Sequence, residues 1–132
     1  MNEAVAPNEA RLLVRSGPLV GAVLGRVVGM LAARALCPID RLDDALLLTD
    51  AIAAHASEFA VDGMVGVTVT ADEAGLGLLV TPLRPQGGEG LLRASDLPGV
   101  GNVLERVADE VAAGRSSDGT DELRLRLAFH PS

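Results

Sequence analysis

Apolar residues recur at helical spacing in two neighbouring segments of the chain. Within residues 18–36 they fall three or four positions apart, which predicts a helix. Pro38 interrupts this pattern. A second helix is predicted over residues 41–60, where the same period returns. The two helices are therefore expected to follow each other directly.

Alternation of apolar and polar residues predicts strands in four other places. These are residues 11–15, 65–70, 76–83 and 122–129. The turn sequence ADEAG separates the second and third of them, so residues 65–83 are expected to form a hairpin.

The stretch between the hairpin and the last strand is less regular. PQGGEG at 85–90 predicts a flexible loop, and residues 91–99 a helical turn before Pro98. Apolar spacing predicts a third helix over residues 100–114. The order β–α–α–β–β–α–β predicts an α+β two-layer sandwich, with three helices covering one face of a mixed four-stranded sheet. Residues 1–132 are expected to form one domain with an ordered core from about 11 to 129.

Composition narrows the function classes. Of 132 residues 48% are hydrophobic, so the chain can bury a substantial core. A net charge of −7 and the lack of Trp and Tyr argue against nucleic acid as a partner. The same charge argues against an anionic membrane surface, and two arginines inside residues 18–36 argue against a membrane span.

Cysteine usage and the first residues indicate a cytoplasmic protein. One cysteine, Cys37, excludes an internal disulfide and a cysteine-rich zinc site, and we expect a buried thiol. The stretch MNEAVAPNEA lacks the form of a signal peptide.

The second predicted helix carries the main candidate chemistry. Asp50, Ala54 and Glu58 are four residues apart, so they share one helix face. This face is either the solvent-exposed side of an amphipathic helix or the remnant of a ligand site. His55 points to another side of the helix, where we expect a packed or half-exposed side chain and not a ligand. A metal-dependent hydrolase built on Asp43, Asp50 and His55 is a further alternative.

Glycines repeat every four residues along the first predicted helix. Gly21, Gly25 and Gly29 lie on one line, although each interior glycine costs about 1 kcal/mol of helix stability relative to alanine. This pattern indicates close approach to the backbone. The neighbour is either another element of the domain, or a partner or second copy of the chain on a Gly21–Gly25–Gly29 surface.

Three strings in this order resemble the histidine-kinase-like ATPase (Bergerat) fold of small bacterial anti-sigma-factor serine/threonine kinases. They are RLDDALLLTDAIAAHA, NVLERVADEV and DGTDELRLRL, and the resemblance covers residues 11–129. The family's helix carries a glutamate and, four residues later, an asparagine that holds magnesium. The resemblance places Asp50 and Ala54 there. Alanine has no oxygen ligand, so that magnesium contact is lost.

The later nucleotide-binding motifs of the family are also altered in this sequence. The resemblance places Pro82 where an aspartate reads adenine, and Arg84 where a glycine follows. Proline has no side-chain acceptor for that hydrogen bond. The glycine-rich lid corresponds to GGEG at 87–90 or to Gly99 and Gly101, which precede a predicted helix and could hold an anion on backbone amides.

The resemblance therefore implies a regulator with a degenerate nucleotide site. We expect it to be non-catalytic or weakly nucleotide-binding, to act by protein–protein interaction, and to need no cofactor. The implied partners are a sigma factor or an anti-sigma antagonist, and the implied assembly is a homodimer. The alternatives are an active serine/threonine kinase that retains ATP and magnesium, and the metal-dependent hydrolase.

Overall fold

The computed structural model describes residues 8–130. The strands are β1 (Asn8–Arg15), β2 (Met64–Ala71), β3 (Gly75–Leu83), β4 (Asp96–Leu97), β5 (Gly101–Asn102), β6 (Glu110–Arg115) and β7 (Asp121–Ala128). The helices are α1 (Leu19–Arg34), α2 (Ile39–His55), α3 (Gly87–Ala94) and α4 (Val103–Val107), with a 3-10 helix at Ala56–Phe59. The expectation that the first residues are no signal peptide concerns residues 1–10, and residues 1–7 lie outside the described range.

A five-stranded sheet in the order β1-β2-β3-β7-β6 forms the centre of the domain, and β4 and β5 form a separate two-stranded sheet. Every strand pairing among residues 8–130 is antiparallel. The predicted α+β class is confirmed, whereas the predicted mixed sheet of four strands is wrong. The fifth strand, β6, joins the edge beside β7, and four helices replace the expected three.

The core lies between the helices and one face of this sheet. Along β2 the residues Val67, Val69 and Ala71 are buried, whereas Thr68 and Thr70 between them are half-buried. This alternation places one side of each strand against the helices. Helix α1 packs on β1 and β2, whereas α3 packs on β6 and β7. The opposite face of the sheet is the outer face.

The first two helices confirm their predicted positions. In α1 the buried residues recur at helical spacing and face the sheet, and α2 packs along α1. The buried residues of α2 are Ala45, Leu48, Thr49 and Ile52. The β2–β3 hairpin is also confirmed, with Val67 opposite Val80.

The third predicted helix is mostly wrong. Helix α4 covers only Val103–Val107, and the following residues form β6. Val107 and Val111 fit a helical period, but in the structure Val111 pairs with Leu125 of β7. The turn between β6 and β7 brings these strands together, so tertiary pairing overrides the helical preference of the alanines in this segment.

The predicted flexible loop at 85–90 is also wrong, because α3 begins inside it at Gly87. A Cβ on Gly88 would overlap the carbonyl oxygen of Glu122 and lie 3.2 Å from the Cβ of Ala113. These glycines therefore permit close packing of α3 on the sheet.

Candidate functional site

A cleft of about 550 Å³ opens where three connecting segments meet. The segments are the exit from the 3-10 helix, the end of β3 and the turn between β6 and β7. We call it the Arg84 cleft. It is lined by Ala60, Val61, Asp62, Leu83, Arg84, Pro85, Arg115, Gly119, Thr120 and Asp121.

Backbone hydrogen bonds hold Arg84 at this position. Its N–H donates to the carbonyl oxygen of Phe59 at 2.9 Å, and Ala60 forms an isolated antiparallel bridge with Leu83. The Gly87 N–H then donates to the Arg84 carbonyl at 2.7 Å, which leads the chain into α3. The wall that carries Arg84 is thus built from backbone pairing.

The charged side chains of the cleft differ in how they are held. Asp121 accepts a 2.6 Å hydrogen bond from the Gln86 N–H, and its other oxygen lies 3.6 Å from Nε of Arg115. The ion pairs among residues 8–130 do not include Arg84, which is exposed. Asp121 is therefore occupied by structural contacts, whereas the Arg84 guanidinium faces solvent.

The turn that carries Thr120 into the cleft is organised by Asp118. Hydrogen bonds from the side chain of Ser116, and then from the side chain and backbone of Thr120, lower the pKa of Asp118 to about 2. The Thr120 hydroxyl donates to Asp118 at 2.7 Å and its N–H at 3.1 Å. Gly119 takes the left-handed φ of +87° that this turn requires. The carboxylate thus stays ionised and fixes Thr120.

The five residues that the resemblance implied as nucleotide ligands lie outside the lining of this cleft. Asp50 and Ala54 are exposed on α2, and Pro82 is half-buried near the irregular end of β3. Gly99 and Gly101 belong to the β4–β5 hairpin, with φ values of +77° and +100°. Their role as nucleotide ligands stays a prediction.

The helix start near Gly101 has its own cap. The side chain of Asn102 accepts a hydrogen bond from the Glu105 N–H at 3.1 Å, so one donor of the first turn of α4 is satisfied internally. The helix has only five residues. An anion at this helix start would therefore have to compete with the Asn102 side chain for that donor.

The residues of the hydrolase alternative do not assemble. No group of three or more His, Cys, Asp and Glu side chains within residues 8–130 could hold a metal ion. Asp43 and Asp50 are exposed, and Nδ1 of His55 lies 3.3 Å from Glu58 of the next turn. Cys37 is half-buried rather than fully buried, and this burial is the main cause that raises the pKa of its thiol.

The Gly21–Gly25–Gly29 surface is split between two environments. A Cβ on Gly21 would lie 3.3 Å from the Cβ of Ala53, so this glycine marks a close approach of α1 and α2. At Gly25 and Gly29 a Cβ would meet no atom within 4 Å. Packing inside the domain therefore explains Gly21 but not the other two.

Sequence reasoning did not identify the Arg84 cleft as a site. The resemblance places Arg84 in the adenine-binding motif and includes the string DGTDELRLRL, but it does not bring these two segments together. Two strings in the sequence could have indicated the cleft. LRP lies at the end of β3 and DGT directly precedes β7. Because these strands are neighbours in the sheet, the two strings lie close together.

No family model and no curated protein matches the chain. None of the helices within residues 8–130 is long and apolar enough to cross a membrane.

Proposed function

We propose that this protein is a non-catalytic regulator that acts by protein–protein contact and binds a nucleotide weakly in the Arg84 cleft. The observation that carries the proposal is the composition of that cleft. It combines an apolar wall with two arginines, which is a combination that suits a base and its phosphates.

The size and chemistry of the cleft support a ligand of this class. A volume of about 550 Å³ falls within the usual range of small-molecule sites. Leu83 and Pro85 offer apolar contact, and Arg84 offers a guanidinium that pairs readily with phosphate. Thr120 adds a hydroxyl oxygen at a fixed position.

The same cleft explains why binding would be weak and without chemistry. Two aspartates share it with the two arginines, so an anion meets no large positive potential. Asp121 is held by Gln86 and Arg115, and neither histidine nor cysteine lines the cleft. The remaining carboxylate of the lining, Asp62, is exposed, and a solvated carboxylate is a weak general base.

The resemblance to anti-sigma-factor kinases supplies the class of partner. We extend the proposal to a sigma factor or an anti-sigma antagonist, with the nucleotide tuning that contact. The magnesium-dependent kinase remains the alternative, and Asp50 on α2 is the residue it requires.

The test separates binding from turnover. Purified protein is incubated with ATP and magnesium, and ADP formation and phosphate transfer to an antagonist protein from its own genome are followed. The expected result is no turnover above the Asp50→Ala variant, together with a partner complex measured by calorimetry. Turnover that needs magnesium and disappears in Asp50→Ala would establish the kinase instead.

A further inference from the structure

The outer face of the five-stranded sheet carries side chains from alternate positions of all five strands. The helices pack on the opposite face, where the core residues of β2, β3 and β7 point. The charged side chains of the outer face are Glu9, Arg11, Arg15, Glu110, Glu122, Arg124 and Arg126. Leu13 is 66% exposed there.

The centre of this face is uncharged. Thr68 pairs across β2 and β3 with Leu79, and Thr70 pairs with Gly77. These residues are half-buried, and a shallow groove of about 160 Å³ lies over them. An uncharged centre with a charged margin is the usual anatomy of a protein–protein interface.

The margins carry both signs of charge. On β1, Nε of Arg11 lies 3.4 Å from Glu9, and on β7 the Arg124 guanidinium lies 3.2 Å from Glu122. The face has four arginines and three glutamates, whereas the rest of residues 8–130 has seven arginines and fourteen acids. The outer face is therefore the part of this acidic chain that can approach a second copy without strong repulsion.

The strand register makes the face complementary to itself. Glu9, Thr70, Gly77 and Arg126 lie in one row across β1, β2, β3 and β7. A two-fold axis parallel to the strands and midway between β2 and β3 lays β1 of one copy over β7 of the other and preserves the rows. Glu9 then faces Arg126 twice, and Thr70 lies over the open backbone at Gly77.

The same axis brings Leu79 over Thr68, so a large side chain meets a smaller one. Arg11 would face Arg124, and each of these arginines has a carboxylate beside it on its own strand. Two sheets packed in this way keep their strands within about 30° of each other.

The area agrees with a modest dimer. The four strands that overlap about this axis have eight or nine residues each. Spaced about 4.8 Å apart, they make a face of roughly 500 Å². Two such faces bury about 1,000 Å² in total, which is the size of a weak interface.

We propose that the outer face of the sheet docks a second copy of this chain, sheet against sheet, about this two-fold axis. This assembly does not depend on the ligand of the Arg84 cleft. It also differs from a dimer through the Gly21–Gly25–Gly29 surface, which lies on α1.

Sedimentation equilibrium of the full chain over a range of concentrations tests the proposal. Wild type should approach twice its 13.5 kDa mass. Leu79→Arg and Thr68→Arg should each raise the dissociation constant at least about 100-fold, because each would bury an unpaired charge at the centre. Circular dichroism checks folding, and Leu47→Arg on the exposed side of α2 is the matched control, which should dimerise as wild type does.

A charge exchange tests the register itself. Glu9→Arg and Arg126→Glu should each weaken the dimer, and the double variant should recover it, because the row pairs these residues across the axis. A wild type that stays monomeric overturns the proposal and leaves the face for an acidic partner protein. A dimer that survives Leu79→Arg, Thr68→Arg and the single charge changes but is lost in Gly25→Leu overturns it in favour of α1.

Discussion

Helices α1 and α3 carry three glycines each, yet these glycines meet different surroundings. A Cβ on Gly88 of α3 would overlap the backbone of β7, and one on Gly90 would overlap the ring of Phe59. At Gly25 and Gly29 of α1 a Cβ would meet no atom within 4 Å. A glycine pattern therefore marks close packing only where another element lies against it.

Gly88→Ala should give the largest effect. The added Cβ would overlap the carbonyl oxygen of Glu122, and backbone cannot move aside as a side-chain tip can. We expect the free energy of unfolding to fall by about 3 kcal/mol. Chemical denaturation measures it, with Gly114→Ala on the edge strand β6 as the control, since a Cβ there meets no atom within 4 Å. Equal stability of both variants would show that α3 is not packed as described.

Gly90→Ala should cost less than Gly88→Ala. The atoms that a Cβ would meet belong to the Phe59 ring, which can shift by rotation. We expect the free energy of unfolding to fall by about 1–2 kcal/mol. The double variant Gly90→Ala, Phe59→Leu should lose less than the sum of the two single changes, because the smaller side chain removes the overlap. Strict additivity in denaturation experiments would contradict this contact.

Gly119→Ala tests a glycine that is needed for its backbone angle rather than for space. No atom lies within 4 Å of its Cβ position, but its φ is +87°. We expect the free energy of unfolding to fall by about 1 kcal/mol because the alanine backbone is strained at this angle. Gly119→Asn should lose less, since asparagine enters the left-handed region more easily. A higher melting temperature for Gly119→Ala than for Gly119→Asn would contradict the assigned turn.

Gly25→Ala should stabilise the protein, in contrast to the three substitutions above. The position is helical and open, so alanine should raise the free energy of unfolding by up to about 1 kcal/mol. Gly21→Ala is the matched control and should gain less, because Ala53 of α2 would have to move by a few tenths of an ångström. A destabilised Gly25→Ala variant would mean that something covers this part of α1.

Acidification should give the smallest effect, at Asp118. Its folded pKa of about 2 lies below the ordinary value of 3.8, so its contribution to stability is present above the ordinary value. That contribution is lost as the pH falls towards the folded value. The stability difference between wild type and Asp118→Asn should therefore shrink across this acidic window. A difference that stays constant in melts over the same window would contradict the hydrogen bonds around Asp118.

The elements that sequence reasoning found were those with a strong local period. Helix α1 buries Val20 and Leu24 at helical spacing, and β2 alternates buried and half-buried residues. Strand β6 was missed because EVAAGR is an edge strand with little alternation, and its alanines favour a helix. Helix α3 was missed because glycines predict a loop unless the packed neighbour is known.

The candidate site depended on information that is not local. Arg84 and Thr120 lie far apart in the sequence and meet because β3 pairs with β7. The predicted helix at 100–114 hid β6, and with it the position of Arg115 beside Asp121. The family resemblance points to Asp50, Gly99 and Gly101, and none of these residues lines the Arg84 cleft.

The most direct test of the proposed function is a thermal melt of wild type and Arg84→Ser with ATP, and with ADP, each with and without magnesium. Arg26→Ser, an exposed arginine on α1, is the matched control. We predict an upward shift in Tm with either nucleotide that does not need magnesium, persists in Arg26→Ser and is lost in Arg84→Ser. A shift that requires magnesium and is lost in Asp50→Ala, or no shift at any nucleotide concentration, would contradict weak binding in the Arg84 cleft.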